Sequence, residues 1–298
     1  MRYEINGDLT KVQTTFFEFV EMSNNTSRKD EWGSGCIIDK ADSFYGNMKS
    51  YGQMYDACYS GLNVKKMSKV RASLNSLLNH EVETPRKAVV GETLNVGAFC
   101  AGHPYHFYKD ADEYGKPRVH IAYSTNAVAG VTSSQFIRHG AALCSLVDQI
   151  ADQVDVKISL YITNTSVFTG KGCQIVTIKD YDEVIDVPRV AATAHPSFFR
   201  RIGFAWFENA KELIDESCSQ GWGGSQTGSQ RKYVINDEEF AEWLGVADDE
   251  MLIDFPAPDE DHFGDDKSTA YWLERAATKI ENDIADKKKT SKLFGGLY

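Results

Sequence analysis

Residues 117–163, PRVHIAYSTNAVAGVTSSQFIRHGAALCSLVDQIADQVDVKISLYIT, predict a strand, a long helix and a second strand in succession. Arg118–Ser124 has the β-branched and aromatic residues that favour strands. Across 133–152 the apolar residues recur at helical spacing and form a wide stripe of Phe136, Ile137, Gly140, Leu143, Cys144, Val147 and Ile150. Residues 154–163 read as a buried strand. Such a unit predicts two parallel strands joined by a right-handed helical crossover.

Elements on both sides extend this unit. Residues 12–22 (VQTTFFEFVEM) fit either a short amphipathic helix or a strand, and residues 51–78 have the apolar spacing of two helices. CQIVTIK, residues 173–179, predicts a further strand, and Pro196 divides the helical stretch that follows it. This order favours an α/β fold with a central, mainly parallel or mixed sheet and flanking helices.

The order of the predicted helices and strands divides the chain into three regions. We expect an N-terminal helical region at 1–85 and an α/β core at 86–217. A C-terminal extension at 218–298 is irregular, and it contains a Gly-rich loop, an acidic loop and a final helix that Ser268 would cap.

Charge and composition limit the function. The 298 residues include 43 acidic and 32 basic side chains, for a formal net charge of −11. This charge disfavours nonspecific binding to nucleic acid, because affinity for a polyphosphate backbone comes from many Lys and Arg contacts. No apolar run reaches the length of a membrane span, and the N-terminus lacks the pattern of a signal peptide. We therefore expect a cytoplasmic protein with no membrane partner, in which the six cysteines are free thiols.

The crossover resembles the first crossover of a von Willebrand factor A-type domain. In that family a strand leads into a metal-binding D-x-S-x-S loop and then a long helix. Here the loop reads YSTNAVAGVTSSQ, and Tyr123 and Ser124 stand where the leading Asp should be. Because hard divalent ions prefer carboxylate oxygens, the resemblance implies a degenerate metal site.

A broader resemblance covers residues 10–210. The segments SYGQMYDACYSG, VVGETLNVGAFCAGHPYHF, IRHGAALCSLVDQIADQVDVKISLYI and DVPRVAATAHPSFFRRIGFAWFE are similar to an uncharacterised family of bacteriophage proteins. This resemblance implies a viral origin and action in the cytoplasm of an infected bacterium. It also suggests an AAA-type ATPase as a partner, and it supplies no catalytic residues.

Few motifs in the sequence indicate a catalytic or ligand-binding site. His103 and His106 in AGHPYHF are three residues apart, which suits zinc on a helix, but Pro104 argues against a helix and a turn is the alternative. The glycines of GWGGSQTGS lack the Lys-Ser/Thr of a phosphate loop, so no cofactor is expected. Trp222 in this loop is instead a candidate partner contact.

The stretch AHPSFFRRIGFAWFE, residues 194–208, has two adjacent arginines in an aromatic run. Arg200 and Arg201 are candidates for an anion or partner contact, together with Arg231 and Lys232. The alternative is a core helix, because Phe198, Ile202, Ala205 and Trp206 fall at helical spacing.

Three function classes follow. The first, which we favour, is a phage-encoded, non-enzymatic protein that binds host or phage proteins. Its 12% aromatic residues would also fit a homo-oligomer, and they are equally suited to a core. The second is an enzyme whose active site follows no motif and uses a histidine among His103, His106, His139 and His195. The third is a nucleic-acid accessory protein that uses Arg200 and Arg201.

Overall fold

A six-stranded mixed sheet organises the part of the chain that the structure describes. This computed structural model describes residues 1–6, 9–24, 45–62, 65–77, 87–88, 93–94, 107–108, 116–127, 131–166, 170–209, 235–248, 250–258 and 261–294. The sheet strands are β1 Arg2–Asn6, β2 Leu9–Thr15, β6 Arg118–Ser124, β7 Asp155–Ser166, β8 Gly170–Lys179 and β9 Met251–Phe255, in the order β1-β2-β8-β7-β6-β9. The pairs β2–β8, β6–β7 and β6–β9 are parallel, and β1–β2 and β7–β8 are antiparallel. The expected α/β fold with a mixed central sheet is confirmed.

Helices and a small second sheet complete the described fold. The helices are α1 Phe16–Ser23, α2 Tyr51–Ser60, α3 Lys65–Leu77, α4 Ser133–Ile150, α5 Val187–Thr193, α6 Phe204–Asn209, α7 Asp237–Leu244 and α8 Asp266–Phe294, with a π-helix at Phe198–Gly203 and a 3-10 turn at Asp261–Phe263. The short strands β3 Lys87–Ala88, β4 Thr93–Leu94 and β5 Phe107–Tyr108 pair in the order β3-β5-β4.

The predicted strand–helix–strand unit is the centre of the sheet. Strands β6 and β7 are parallel neighbours, with Arg118 opposite Asp155, and α4 connects them. Helix α4 begins at a capping box, in which the Thr132 hydroxyl accepts from the Gln135 backbone and the Gln135 side chain accepts from the Thr132 backbone. This reciprocal pairing satisfies backbone N–H groups that have no partner within the helix. The crossover is therefore confirmed in its strand pairing and helix position.

The buried apolar side chains form a core on each face of the sheet, because side chains alternate in direction along the strands. On β6, Val119, Ile121 and Tyr123 point into the larger core, which also receives α1 to α6 and α8. Ala122 points to the opposite face, where Phe240, Trp243 and Leu244 of α7 cover the sheet. Because successive strand residues point to opposite faces, β6, β7, β8 and β9 supply side chains to both cores.

Several elements differ from the sequence prediction. Residues 12–22 contain both predicted alternatives, since β2 ends at Thr15 and α1 starts at Phe16. The last helix begins at Asp266 rather than at a Ser268 cap, because the Asp265 carboxylate accepts from the backbone of Lys267 at 2.8 Å and of Ser268 at 2.9 Å. These hydrogen bonds, that from Ser268 first, lower the pKa of Asp265.

The three predicted regions contribute to one sheet. Strands β1 and β2 come from region 1–85, and β9 comes from region 218–298. The division into separate regions stays a prediction, but the central sheet is not confined to 86–217. The expected division at Pro196 is confirmed, since α5 ends before it and the π-helix follows it.

Candidate functional site

The two arginines of the aromatic run are buried. Arg200 is 1% exposed and Arg201 is 0% exposed, and both belong to the π-helix that precedes α6. The π-helix lies among α1, α2 and α5, so every residue from Phe198 to Gly203 is buried. Both side chains are buried because neighbouring helices enclose the whole π-helix rather than one stripe of it, and their role as partner contacts stays a prediction.

Each arginine contacts a different part of the fold. The Arg201 guanidinium lies 4.1 Å over the Tyr45 ring and donates from Nη2 to the Met48 carbonyl at 3.0 Å. Arg200 lies 5.4 Å over the ring of Phe136 near the start of α4. Stacking on an aromatic face suits the planar guanidinium. The pair therefore connects the π-helix to the segment before α2 and to α4, which is a structural role.

The other predicted contact and metal positions lie outside the described residues. These are Trp222, Arg231, Lys232, His103 and His106. Their roles stay predictions.

The two described histidines of the enzyme hypothesis have different surroundings. His139 donates from Nε2 to the Pro256 carbonyl at 2.9 Å and packs edge-on against Phe255 and Phe263. His195 accepts at Nδ1 from the backbone of Ser197 at 3.2 Å. Burial lowers the pKa of both rings to about 4, so both are neutral at physiological pH. The structure places these two rings in separate packing environments.

A further histidine, outside the four of the enzyme hypothesis, has a hydroxyl partner. His120 Nε2 is hydrogen-bonded to Ser159 Oγ at 2.8 Å across β6 and β7. Both residues are buried, and burial, followed by the charge of Lys157, lowers the pKa of His120 to about 3. A neutral His next to a Ser is the beginning of a nucleophilic pair, but a third orienting group and a route for substrate would also be needed. We therefore assign this pair to the packing of the sheet.

Thr125 and Asn126, at the start of the loop where a degenerate metal site is predicted after β6, are polar and buried. Asn126 donates from Nδ2 to the Thr163 carbonyl at 2.6 Å, and its backbone donates to Ser124 Oγ at 3.1 Å. Across the described ranges, no group of three or more His, Cys, Asp or Glu side chains is placed to hold a metal ion. The hydrogen bonds instead connect the ends of β6 and β7.

A cavity of about 440 Å³ lies between the sheet edge and α7. Its wall includes Trp243, with the Arg2 guanidinium 4.2 Å and the Lys11 ammonium 4.9 Å from the ring centroid. Lys11 also pairs with Glu239 at 3.1 Å. Both cations of the wall therefore already stack within the chain, which favours a role in attaching α7 to β1 and β2.

The most distinctive surface of the described chain is an aromatic ladder, formed by Phe17 of α1 with Tyr51, Tyr55 and Tyr59 of α2. The three tyrosines are four residues apart, so they lie on one side of α2. Ring centroids are separated by 5.9 Å for Tyr51–Tyr55, 5.2 Å for Tyr55–Tyr59 and 5.5 Å for Tyr59–Phe17. Phe17 is 44% exposed and Tyr59 is 46% exposed, so the outer end of the ladder faces solvent.

Hydrogen bonds and a cation fix the ladder. Tyr55 donates from its hydroxyl to Glu21 Oε1 at 3.2 Å, and the Tyr59 hydroxyl donates to the same oxygen. At the inner end, the Tyr51 hydroxyl is hydrogen-bonded to Ser23 Oγ at 2.8 Å. The Arg189 guanidinium lies 5.3 Å over Phe17. The exposed rings are thus held in position by contacts within the chain.

Sequence reasoning missed this surface, although one signal was present. The spacing Y-x-x-x-Y-x-x-x-Y in YGQMYDACYS, residues 51–60, places three tyrosines along one helix side. The helix at α2 was predicted from its apolar positions alone. The stacking of Phe17 on Tyr59 has no signal in the sequence, because the two residues are far apart in the chain.

Comparison with known proteins identifies a family and no activity. A family described as Domain of unknown function (DUF7192) matches residues 7–265. Searches of curated proteins and of solved structures give no match. Separately, no helix within the described ranges is long and apolar enough to cross a membrane.

Proposed function

This chain belongs to the family described as Domain of unknown function (DUF7192), and that description assigns no activity, so we propose a function from the surface of the chain itself. We propose that it is a non-enzymatic protein that binds protein partners through the aromatic ladder. The observation that carries this proposal is the stacked pair of Phe17 and Tyr59, each with nearly half of its surface exposed.

Exposed aromatic pairs of this kind support binding for two physical reasons. Aromatic side chains are enriched at protein interfaces, where they bury a large area on association. Their rigid rings also lose little conformational freedom on binding. Here Glu21 and Arg189 hold the rings in place, so little further ordering is required.

The setting of this binding is part of the proposal. The resemblance of residues 10–210 to bacteriophage proteins supports a phage-encoded protein that acts in the cytoplasm of an infected bacterium. Its partners would be host or phage proteins, with an AAA-type ATPase as one candidate and a second copy of the chain as another. The net charge of −11 and the burial of Arg200 and Arg201 support a protein partner over nucleic acid.

The experiment is affinity purification of the tagged chain from infected bacteria, with mass measurement of the intact assembly. We expect the wild-type chain to recover a partner in stoichiometric amount, and the double variant Phe17→Ala, Tyr59→Ala to lose it. Each interface anchor of this type costs about 1–2 kcal/mol on truncation, so the double variant should bind roughly 30-fold or more weakly.

The matched control is Tyr271→Ala on α8. Tyr271 is 63% exposed and lies under Arg275, with 5.7 Å from the guanidinium to the ring centroid, but it is not part of the aromatic ladder. This control should retain the partner. Recovery of the wild-type chain alone and monomeric, or an unchanged partner with the double variant, would count against the proposal.

A further inference from the structure

The chemistry of the aromatic ladder also points to the kind of segment that binds there. We propose that the ladder binds an arginine-containing segment of the partner protein, with a guanidinium stacked on Tyr59 and hydrogen-bonded to Glu21. This inference rests on the proposed function, because it names the partner chemistry at the same surface.

The chain itself contains an example of this contact. The Arg189 guanidinium lies 5.6 Å over Phe16 and 5.3 Å over Phe17, while its Nη1 donates to the Ile178 carbonyl at 3.0 Å. At Phe17 the ladder therefore already contacts a guanidinium, that of Arg189, which at the same time donates to a backbone carbonyl. Tyr59, which stacks on Phe17, is 46% exposed, so its ring remains accessible to a cation in addition to Arg189.

A carboxylate lies beside the exposed rings. Glu21 accepts both Tyr55 and Tyr59 hydroxyls at Oε1, which brings its negative charge to the edge of the tyrosine rings. A planar guanidinium can stack on an aromatic face and donate in its own plane to a carboxylate, whereas an ammonium group has no such planar set of donors. The arrangement of ring and carboxylate therefore favours arginine over lysine.

Net charge favours an arginine-containing segment over an acidic segment or a second copy of the chain. The chain has a net charge of −11, so an acidic segment would be repelled from the surface around Glu21. A second copy of the chain brings the same net charge, which opposes self-association. A basic segment is attracted over a distance of about 10 Å at moderate salt, which also raises the association rate.

The test measures binding of three labelled peptides to the full chain by fluorescence anisotropy. The peptides have the same length and the same Gly-Ser spacers, and carry only Arg, only Lys or only Glu as charged residues. We expect the Arg peptide to bind most tightly and the Glu peptide not to bind. Tyr59→Leu, which keeps an apolar side chain but removes the π face, should weaken Arg-peptide binding about two- to fivefold.

Two controls make this result specific. Tyr59→Phe keeps the ring and removes the hydroxyl, so it should retain the preference for Arg. Tyr271→Leu removes an exposed ring outside the ladder and should leave binding unchanged. Circular dichroism and thermal unfolding of each variant check that the fold is intact.

Each contrary outcome has a definite meaning. Equal binding of the Arg and Lys peptides, with no loss in Tyr59→Leu, overturns the inference and indicates attraction by net charge alone. If the double variant releases the partner from infected cells while the Arg peptide shows no preference, this inference fails and the proposed function stands. If that partner proves to be a second copy, the Arg-segment assignment is wrong. If the partner is retained by the double variant, the proposed function itself fails.

Discussion

Replacement of Gly140 in α4 should destabilise the protein, although helix propensity alone predicts the opposite. In a helix interior Ala is better than Gly by about 1 kcal/mol. Here a Cβ on Gly140 would lie 2.5 Å from the Cβ of Ala194 and 3.2 Å from the Sδ of Met67. Since non-bonded carbons prefer about 3.5–4.0 Å, α4 and the end of α5 would have to separate by about 1 Å.

The size of the effect follows from these two opposing contributions. Overpacking a closed contact costs about 1–3 kcal/mol, and a clash between two backbone-attached Cβ atoms lies at the upper end because neither can rotate away. After the gain in helix propensity, we expect Gly140→Ala to lower the free energy of unfolding by about 2 kcal/mol. Urea unfolding followed by circular dichroism measures this change.

A control and a second substitution test the reasoning. Gly52 in α2 has no neighbour nearer than 3.9 Å to an added Cβ, so Gly52→Ala should be neutral or raise stability by up to about 1 kcal/mol. Ala194→Gly should lower stability in the wild-type chain but raise it in the Gly140→Ala chain, because it removes the opposing Cβ. A Gly140→Ala chain as stable as the wild type would refute the close approach of α4 and α5.

Two further predictions concern buried polar groups. Burial lowers the pKa of His120 to about 3 and of His139 and His195 to about 4, so below about pH 6.5 the unfolded state binds more protons than the folded state. These histidines should therefore leave the free energy of unfolding constant above this pH and lower it toward pH 4. In urea unfolding at a series of pH values, His139→Gln should reduce the slope of the unfolding free energy against pH by up to about 1.4 kcal/mol per pH unit. Parallel curves for the wild type and the variant would contradict the burial of a neutral His139 ring. Gln174 on β8 is buried, and within the described residues neither its Oε1 nor its Nε2 has a hydrogen-bond partner. Gln174→Met keeps the side-chain length and should raise the unfolding free energy by about 1 kcal/mol, whereas a loss of stability would show that the amide is paired.

Much of the central fold was predictable from local spacing. The strand at Arg118–Ser124, the helix 133–152 and the strand 154–163 correspond to β6, α4 and β7, with ends that differ by a few residues. Hydrophobic periodicity and caps are properties of neighbouring residues, so they can be read along one segment at a time.

The edges of the sheet were not predictable in the same way. β9, residues 251–255, pairs with β6 although more than a hundred residues separate them, and local spacing predicted no strand there. Likewise, β2 and α1 divide one short stretch that fits both a strand and a helix. The choice depends on the partner strand β8, which local periodicity does not contain.

Local spacing also could not predict which residues of the candidate site are exposed. From the sequence alone, charge, composition and helical spacing determined an acidic α/β protein and made Arg200 and Arg201 plausible surface cations. Only the tertiary structure decided that helices enclose the π-helix and bury both arginines, and that Phe17 stacks on Tyr59 at the surface. The physical reason is that exposure is set by what packs against a residue, and those neighbours come from distant parts of the chain.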